Sequence, residues 1–556
     1  MDQALVTHLA QPGSQWWRSG VIYQIYPRSF ADSNGDGLGD LKGITSRLDS
    51  LAALGIDAIW LSPFYCSPQK DAGYDVSNYV DVDPIFGTLS DFDDLLEKAH
   101  GLGIRVMIDL VPNHSSDQHA WFQRALAAKP GSPERAFYHF KDGLGENGEL
   151  PPNNWVSMFG GPAWTRVTES DGKPGQWFVH LFDSSQPDFN WANPEVQLEF
   201  ENILKFWLDR GVDGFRVDQP HAMAKAEGLP DHPYLKEAGA GFIEGRENPP
   251  MWFQEEVHEI FRKWRKILEG YPGERAMCGE AYVYPLSLMA KWVRSDEFHQ
   301  TFNFRFLDAG WDSKKLFDAI NESFEAFDGV GAPSTWVLNN HDVIRHASRF
   351  GGDYGRATAS DGIGSGQPQP DPILGLQIAK GATLFMLGLP GASYLYQGEE
   401  LGLPEHTTLE DKYRQDPTFA RTNGARVGRD GCRIPLPWEP EGDSSGFSES
   451  GKSWLPQPAS YKELARSIQE KNPESTLSFY KTALDLRKQL GLGEGSFSWI
   501  AGHQGPETLG YENSGVKVIY NFGAQPVDLS TFEILLSSQP LSGKQLATNQ
   551  CAWIKP

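Results

Sequence analysis

Short apolar runs and amphipathic helical runs alternate from the start of this chain, and that alternation is the strongest constraint on its fold. Val21–Tyr26, Ala58–Ser62, Val106–Leu110 and Gly214–Val217 are β-prone; Leu41–Leu54, Leu89–Leu102 and Ile203–Asp209, between them, have helical apolar spacing. Strands separated by crossover helices imply a parallel sheet. The fourth run ends on a carboxylate, Gly214-Phe215-Arg216-Val217-Asp218, and Gly279-Glu280-Ala281 and Asn340-His341-Asp342 carry further acids at long, barrel-like intervals. A strand that delivers an acid at its C-terminal end is how a (β/α)8 barrel places reactive groups at its mouth. The predicted fold class is therefore α/β, a (β/α)8 TIM barrel. Three such acids supply a nucleophile, a proton donor and a stabilising anion, the set that breaks a glycosidic bond with retention.

Between Asn113 and Asp183 the alternation fails in a stretch rich in Pro, Gly, Asn and Trp, such as Pro151-Pro152-Asn153-Asn154-Trp155. This predicts an inserted lobe over 113–183, after the third strand, dividing the barrel into 1–112 and 184–490. A second irregular insertion spans about 401–458, after the eighth strand; loops this long are commonly lids or binding loops. The amphipathic run Leu477–Leu490 is the last helix, and the alternating runs Val516–Tyr520 and Thr531–Leu536 predict a C-terminal antiparallel β-domain over 491–556.

The net charge of −24 argues against nucleic acid or an anionic membrane as partner, because phosphate would be repelled. The 18 Trp and 32 Phe fill a large core and leave aromatics for stacking on sugar faces. Cys66, Cys278, Cys432 and Cys551 lie far apart without paired spacing, as suits reduced thiols. The N-terminus has no basic start followed by an apolar run, and no stretch approaches the length needed to cross a bilayer. The expected location is cytoplasmic, and the expected substrate small enough to be imported.

The motifs quoted above resemble the α-amylase family of glycoside hydrolases, specifically its α-glucosidase and oligo-1,6-glucosidase branch. The resemblance runs from about Val21 to Leu490. Its other pieces are Gly20-Val21-Ile22-Tyr23-Gln24-Ile25-Tyr26-Pro27-Arg28-Ser29-Phe30, Gly73-Tyr74-Asp75-Val76, Asp109-Leu110-Val111-Pro112-Asn113-His114, Gln186-Pro187-Asp188-Phe189-Asn190 and Gly428-Arg429-Asp430-Gly431-Cys432-Arg433. Asp218 is then the nucleophile, with Arg216 two residues back on the same side of the strand to keep it ionised. Glu280 is the acid/base, protonated for the first step and a base in the second. The resemblance assigns Asp342 a grip on the hydroxyls of the bound glucose, with His341 and His114 donating to the same sugar. Asp75 and Arg429 would clamp its non-reducing end; Tyr74, Phe159 and Phe182 would wall it, and Arg433 would support the clamp.

The loop Asp32-Ser33-Asn34-Gly35-Asp36-Gly37-Leu38-Gly39-Asp40 begins like an EF-hand loop, but Gly43 stands where the bidentate Glu belongs. The resemblance implies a structural Ca2+ or Mg2+ held by Asp32, Asn34, Asp36, the Leu38 carbonyl and Asp40; an Asx-rich turn without metal is the alternative. No organic cofactor is expected. The implied activity is that of a retaining exo-α-glucosidase on short α-glucosides of the maltose, sucrose or isomaltose type. A transglucosidase uses the same covalent intermediate. A non-catalytic amylase-fold protein would lack the acids and carry a membrane anchor. Two departures matter. Gln219-Pro220 follows the nucleophile where such relatives carry a small apolar residue or Thr, a position associated with linkage choice. Val343-Ile344-Arg345-His346 after Asp342 looks like α-glucosidases and lacks the Arg-Asp loop of sucrose isomerases.

Overall fold

The computed structural model describes residues 5–13, 15–354 and 361–556. Its centre is a barrel of parallel strands: β1 (Val21–Ile25), β2 (Ala58–Leu61), β3 (Arg105–Leu110), β4 (Gly214–Val217), β5 (Ala276–Gly279), β6 (Gln300–Thr301), β7 (Thr335–Val337) and β8 (Ala392–Tyr396). They pair in the order β6-β5-β4-β3-β2-β1-β8-β7. The ring nearly closes between β6 and β7, where the Asn303 N–H donates to the Thr335 carbonyl at 3.2 Å. β1, β2, β4, β5, β7 and β8 are buried along their whole length, as parallel strands covered on both faces must be.

The main crossover helices are α1 (Leu41–Ala52), α2 (Leu89–Gly101), α3 (Pro194–Asp209), α4 (Val257–Glu269), α5 (Ser313–Asp328) and α6 (Pro372–Leu387), followed by the closing helix α7 (Thr476–Gln489). Local sequence fixes their starts. Asp40 caps α1 by accepting from the Gly43 N–H; Thr88 and Asp91 form a capping box on α2. α3 begins nine residues before the predicted Ile203, because Asn193 caps it and Pro194 opens its first turn.

The segment after β3 forms a lobe with its own antiparallel sheet of Phe140–Lys141, Pro174–Val179 and Trp164–Thr168. Trp155, Trp164 and Phe182 of the lobe pack with Ala222, Met251 and Trp252 of the segment after β4. The lobe therefore leans on the loop that follows Asp218. After α7 comes an antiparallel sheet of β9 (Phe497–Gln504), β10 (Thr508–Asn513), β11 (Val516–Asn521), β12 (Glu533–Ser537) and β13 (Gln550–Lys555), joined at one edge by Thr7–His8. It packs on α6. Tyr511 Oη donates to the Phe385 carbonyl, Asn513 Nδ2 to that of Gly388 at 2.8 Å and Trp553 Nε1 to that of Leu384 at 3.0 Å, so side chains of the sheet satisfy carbonyls at the end of the helix. All four cysteines are free. Among the described residues no helix is long and apolar enough to cross a membrane.

Candidate active site

Strand register assembles the reactive groups. Arg216 on β4 lies beside Asp109 on β3 and Cys278 on β5. One step beyond the paired residues, the Asp218 N–H donates to the Leu110 carbonyl at 2.8 Å and the Glu280 N–H to that of Val217 at 2.9 Å. Asp218 and Glu280 thus leave adjacent strands at the same level, at the C-terminal rim. One guanidinium holds both. Arg216 Nη1 donates to Asp218 Oδ1 at 2.7 Å and to Asp109 Oδ1 at 2.9 Å, while Nη2 reaches Glu280 Oε2 at 2.6 Å. Arg216 lies over the Trp60 ring at 4.8 Å, which fixes its plane from behind.

Electrostatics divide the labour between the acids. Burial raises the carboxyl of Glu280 well above its ordinary range, and the neighbouring Asp218 and Asp342 add to the rise against the pull of Arg216. Burial also raises Asp218, but there Arg216 and a hydrogen bond from Glu280 pull the other way. That hydrogen bond favours the proton on Glu280 and the charge on Asp218. Asp342 is the most anionic of the three. Burial would raise it, yet His341, Arg429 and Arg433 together hold it far below the usual carboxylate range.

His341 is buried and neutral, desolvation outweighing the attraction of Asp342. Gln24 Nε2 donates to its Nδ1 at 2.7 Å, so the hydrogen-bond network assigns the proton to Nε2, which lies 2.7 Å from Tyr74 Oη and 3.3 Å from Asp342 Oδ2. Tyr74 stacks on His341 with an interplanar angle of 5°, and its Oη donates a hydrogen bond to Asp109 Oδ2 at 3.1 Å. His114 is held neutral by burial, lowered to about 4, and donates to the Tyr74 carbonyl at 3.2 Å. Phe182 packs 5.2 Å from His114 and 5.8 Å from Phe159.

The far end is where the structure corrects the sequence. Arg429 does not pair with Asp75. Its Nη2 meets Asp71 at 3.0 Å, Nη1 meets Asp342 at 2.9 Å and Nε meets Asp416 at 2.6 Å. Asp75 is fully buried, accepting from Ser67 Oγ at 2.9 Å, the Lys70 N–H at 2.9 Å and the Asp71 N–H at 3.0 Å. It shapes the turn that presents Asp71. Asp71 stands three residues before Tyr74, just outside the Gly73–Val76 motif, so choosing between the two acids needed the fold. Asp416, which caps the short helix Pro417–Arg421, and Asp109 are further members the sequence reading left without a role. Arg433 supports from behind, its Nη2 on Asp342 and its Nε on the His341 carbonyl, each at 2.9 Å.

Arg429 also lies over the Phe159 ring at 5.4 Å, and Arg421 binds Asp183 at 2.9 Å and the Gly160 carbonyl at 2.7 Å. These contacts join the late insertion to the lobe above the site. Lys225, its side chain fully enclosed, ties the turn after Asp218 to Asn113 at 2.8 Å and to Asp188 at 2.9 Å.

The Asp32–Asp40 loop lies apart from these groups and closes on itself. Asp32 accepts from the Asn34, Gly35 and Gly37 N–H groups at 3.0, 2.8 and 2.8 Å. Asn34 accepts from the Asp36 N–H, Asp36 from that of Leu38, and Asp40 from Ser33 and Gly43. Among the described residues no three His, Cys, Asp or Glu side chains converge as a metal site. No step of the chemistry passes through the loop.

Known proteins agree with this picture. Residues 24–494 match the model of the alpha amylase catalytic domain. The chain is 39% identical to a probable alpha-glucosidase of Rhizobium meliloti, over 86% of this chain and 84% of that one. It is 36% identical to an oligo-1,6-glucosidase of Parageobacillus thermoglucosidasius, over 85% and 84%. Among solved structures, the alpha-glucosyl transfer enzyme XgtA superposes with a TM-score of 0.83 at 35% identity, covering 98% of this chain and 99% of its own. With the barrel, the acids at its rim and these likenesses over most of its length, the chain belongs to the alpha-amylase family of glycoside hydrolases.

Proposed function

We propose that this chain is a retaining exo-α-glucosidase that releases glucose from the non-reducing end of short α-glucosides of the maltose, sucrose or isomaltose type. One observation carries the reading: Asp218 and Glu280 share a single guanidinium, on Arg216 Nη1 at 2.7 Å and Nη2 at 2.6 Å. An inverting pair stands roughly 6.5–9.5 Å apart to admit water between its carboxyls, and groups that touch one arginine head are too close for that. In the first step Asp218 attacks the anomeric carbon while Glu280 gives its proton to the departing glycosidic oxygen. In the second, Glu280 takes a proton from water, which displaces Asp218 and frees α-glucose. Asp342, His341 and His114 grip the sugar hydroxyls, Tyr74, Phe159 and Phe182 wall the ring, and Asp71 with Arg429 holds its far end. The join of lobe and late insertion makes that end a dead end for a polymer.

Initial-rate NMR with maltose, isomaltose and sucrose tests this: α-glucose should appear first, and starch should be a poor substrate. β-Glucose as first product refutes retention, and rapid internal cleavage of amylose refutes the closed pocket. The likeness to a glucosyl transfer enzyme favours a second fate for the same intermediate, capture by a sugar or alcohol, which should grow with sugar concentration.

The substrate's chemistry and the free thiols support a cytoplasmic enzyme. A structural Ca2+ or Mg2+ on Asp32, Asn34, Asp36, the Leu38 carbonyl and Asp40 belongs to the same proposal, supported by the density of oxygen donors in one turn. Those carboxylates would have to turn from their backbone partners to meet it. A melting temperature lowered by chelator and restored by either ion is the expected result; an unchanged one counts against the site.

A further inference from the structure

Gln219 follows the nucleophile, and its geometry is not that of an ordinary loop residue. Its backbone lies in the left-handed region, at φ 41° and ψ 45°. A side chain rarely adopts that conformation, and the following Pro220 disfavours helical-type backbone before it as well. Strain held at such a place points towards function. The side chain uses the conformation: Nε2 donates to Glu280 Oε2 at 3.1 Å, the oxygen that Arg216 Nη2 also holds. Arg216, Asp218 and Asp342 are the charged groups that face Glu280, with Cys278 on its own strand and His221 bonded to its backbone. Gln219 is the uncharged donor of that set, and it is only half-buried at the mouth of the site.

We propose that Gln219 is a positioning residue for the acid/base: its left-handed backbone aims the amide at Glu280 Oε2, so that Oε2 is occupied and the proton sits on Oε1. In the free enzyme Oε1–H turns to Asp218, and in the complex it turns to the glycosidic oxygen. As the proton leaves and Asp218 bonds to the anomeric carbon, the new carboxylate of Glu280 is met by Arg216 and Gln219. Water returns a proton to the same Oε1 in the second step. The inference rests on the α-glucosidase reading above.

Two variants test it. Gln219→Met keeps the reach and loses the donor; Gln219→Gly drops the side chain and accepts the backbone conformation without strain. Both should move the basic limb of kcat/KM for maltose upward by about half to one pH unit, because a donor to the carboxylate favours its charged form. Both should lose about tenfold on maltose but less than about twofold on α-glucosyl fluoride, whose leaving group needs no proton. An unmoved limb, equal losses on the two donors, or an effect of Gly without an effect of Met overturns the proposal. The pH midpoint of carbodiimide labelling at Glu280, read by mass spectrometry, should rise in both variants and needs no turnover. An unmoved midpoint defeats the role of Gln219, whereas a wild type inert towards both sugars defeats the α-glucosidase reading alone.

Discussion

Arg216 meets Asp109, Asp218 and Glu280 with one positive charge, so the group cannot bear three negative ones at neutral pH. Sharing of a proton is built into the site, and Glu280 is where it resides. At the other end of the pocket two cations, Arg429 and Arg433, converge on Asp342 and keep it charged. Asp71 and Asp75, four residues apart, therefore have separable roles. Asp71→Ala should lower kcat/KM on maltose about 100-fold with little change in melting temperature, because it removes one anchor of Arg429 and one sugar contact. Asp75→Ala should instead destabilise the fold by about 3 kcal/mol or more, since three donors lose a buried carboxylate at once. Kinetics and calorimetry on both variants decide, and the opposite pattern would return the clamp to Asp75. Asp218 and Glu280 were legible because a strand followed by an acid is a local pattern. The partners of Arg429 were not, because Asp71, Asp342 and Asp416 come from three loops that only the barrel brings together.

Elements read well where burial made them plain. β3 and β4 stand within one residue of the β-prone runs Val106–Leu110 and Gly214–Val217, and α1, α2 and α7 lie within about two residues of their predicted ends. β6 was not separately legible, since two residues carry no periodicity. The seat of α6 on the C-terminal sheet was equally hidden. A Cβ at Gly388, at the end of α6, would lie 2.5 Å from Tyr511 Oη and 2.8 Å from Val518 Cγ2. Gly388→Ala should therefore push helix and sheet apart and cost about 1–3 kcal/mol, seen as a lower melting temperature. Gly101, the last residue of α2, has nothing within 4 Å of the same atom. Gly101→Ala should be neutral or stabilise by up to about 1 kcal/mol. Equal effects at the two glycines would contradict the packing described.

At the scale of the whole molecule the C-terminal sheet is a wall of the barrel. Trp311, in the turn before α5, packs 5.1 Å from Tyr520, and on α5 Phe317 lies 4.7 Å from Trp499 and Phe324 4.7 Å from Phe497, an aromatic seam between α5 with its leading turn and the sheet. Deleting 497–556 would bare that seam as one large apolar patch. The truncated chain should be insoluble, or should bind ANS and lose its near-ultraviolet circular dichroism. A soluble, sharply melting and fully active truncation would show the sheet to be an appendage. The alternating runs near Val516 revealed the sheet's existence; which helices it covers was fixed by three-dimensional contacts alone. Lys225 binds the molecule together differently. Its enclosed ammonium joins Asp188, where the lobe returns to the barrel, to the turn that carries the nucleophile. Loss of the acid at 188 would strand that ammonium, at about 3–5 kcal/mol. Recombination between homologous genes is then safe only where both parents keep the pair, and a chimaera that loses Asp188 loses the alignment of its nucleophile although no residue touching the sugar has changed.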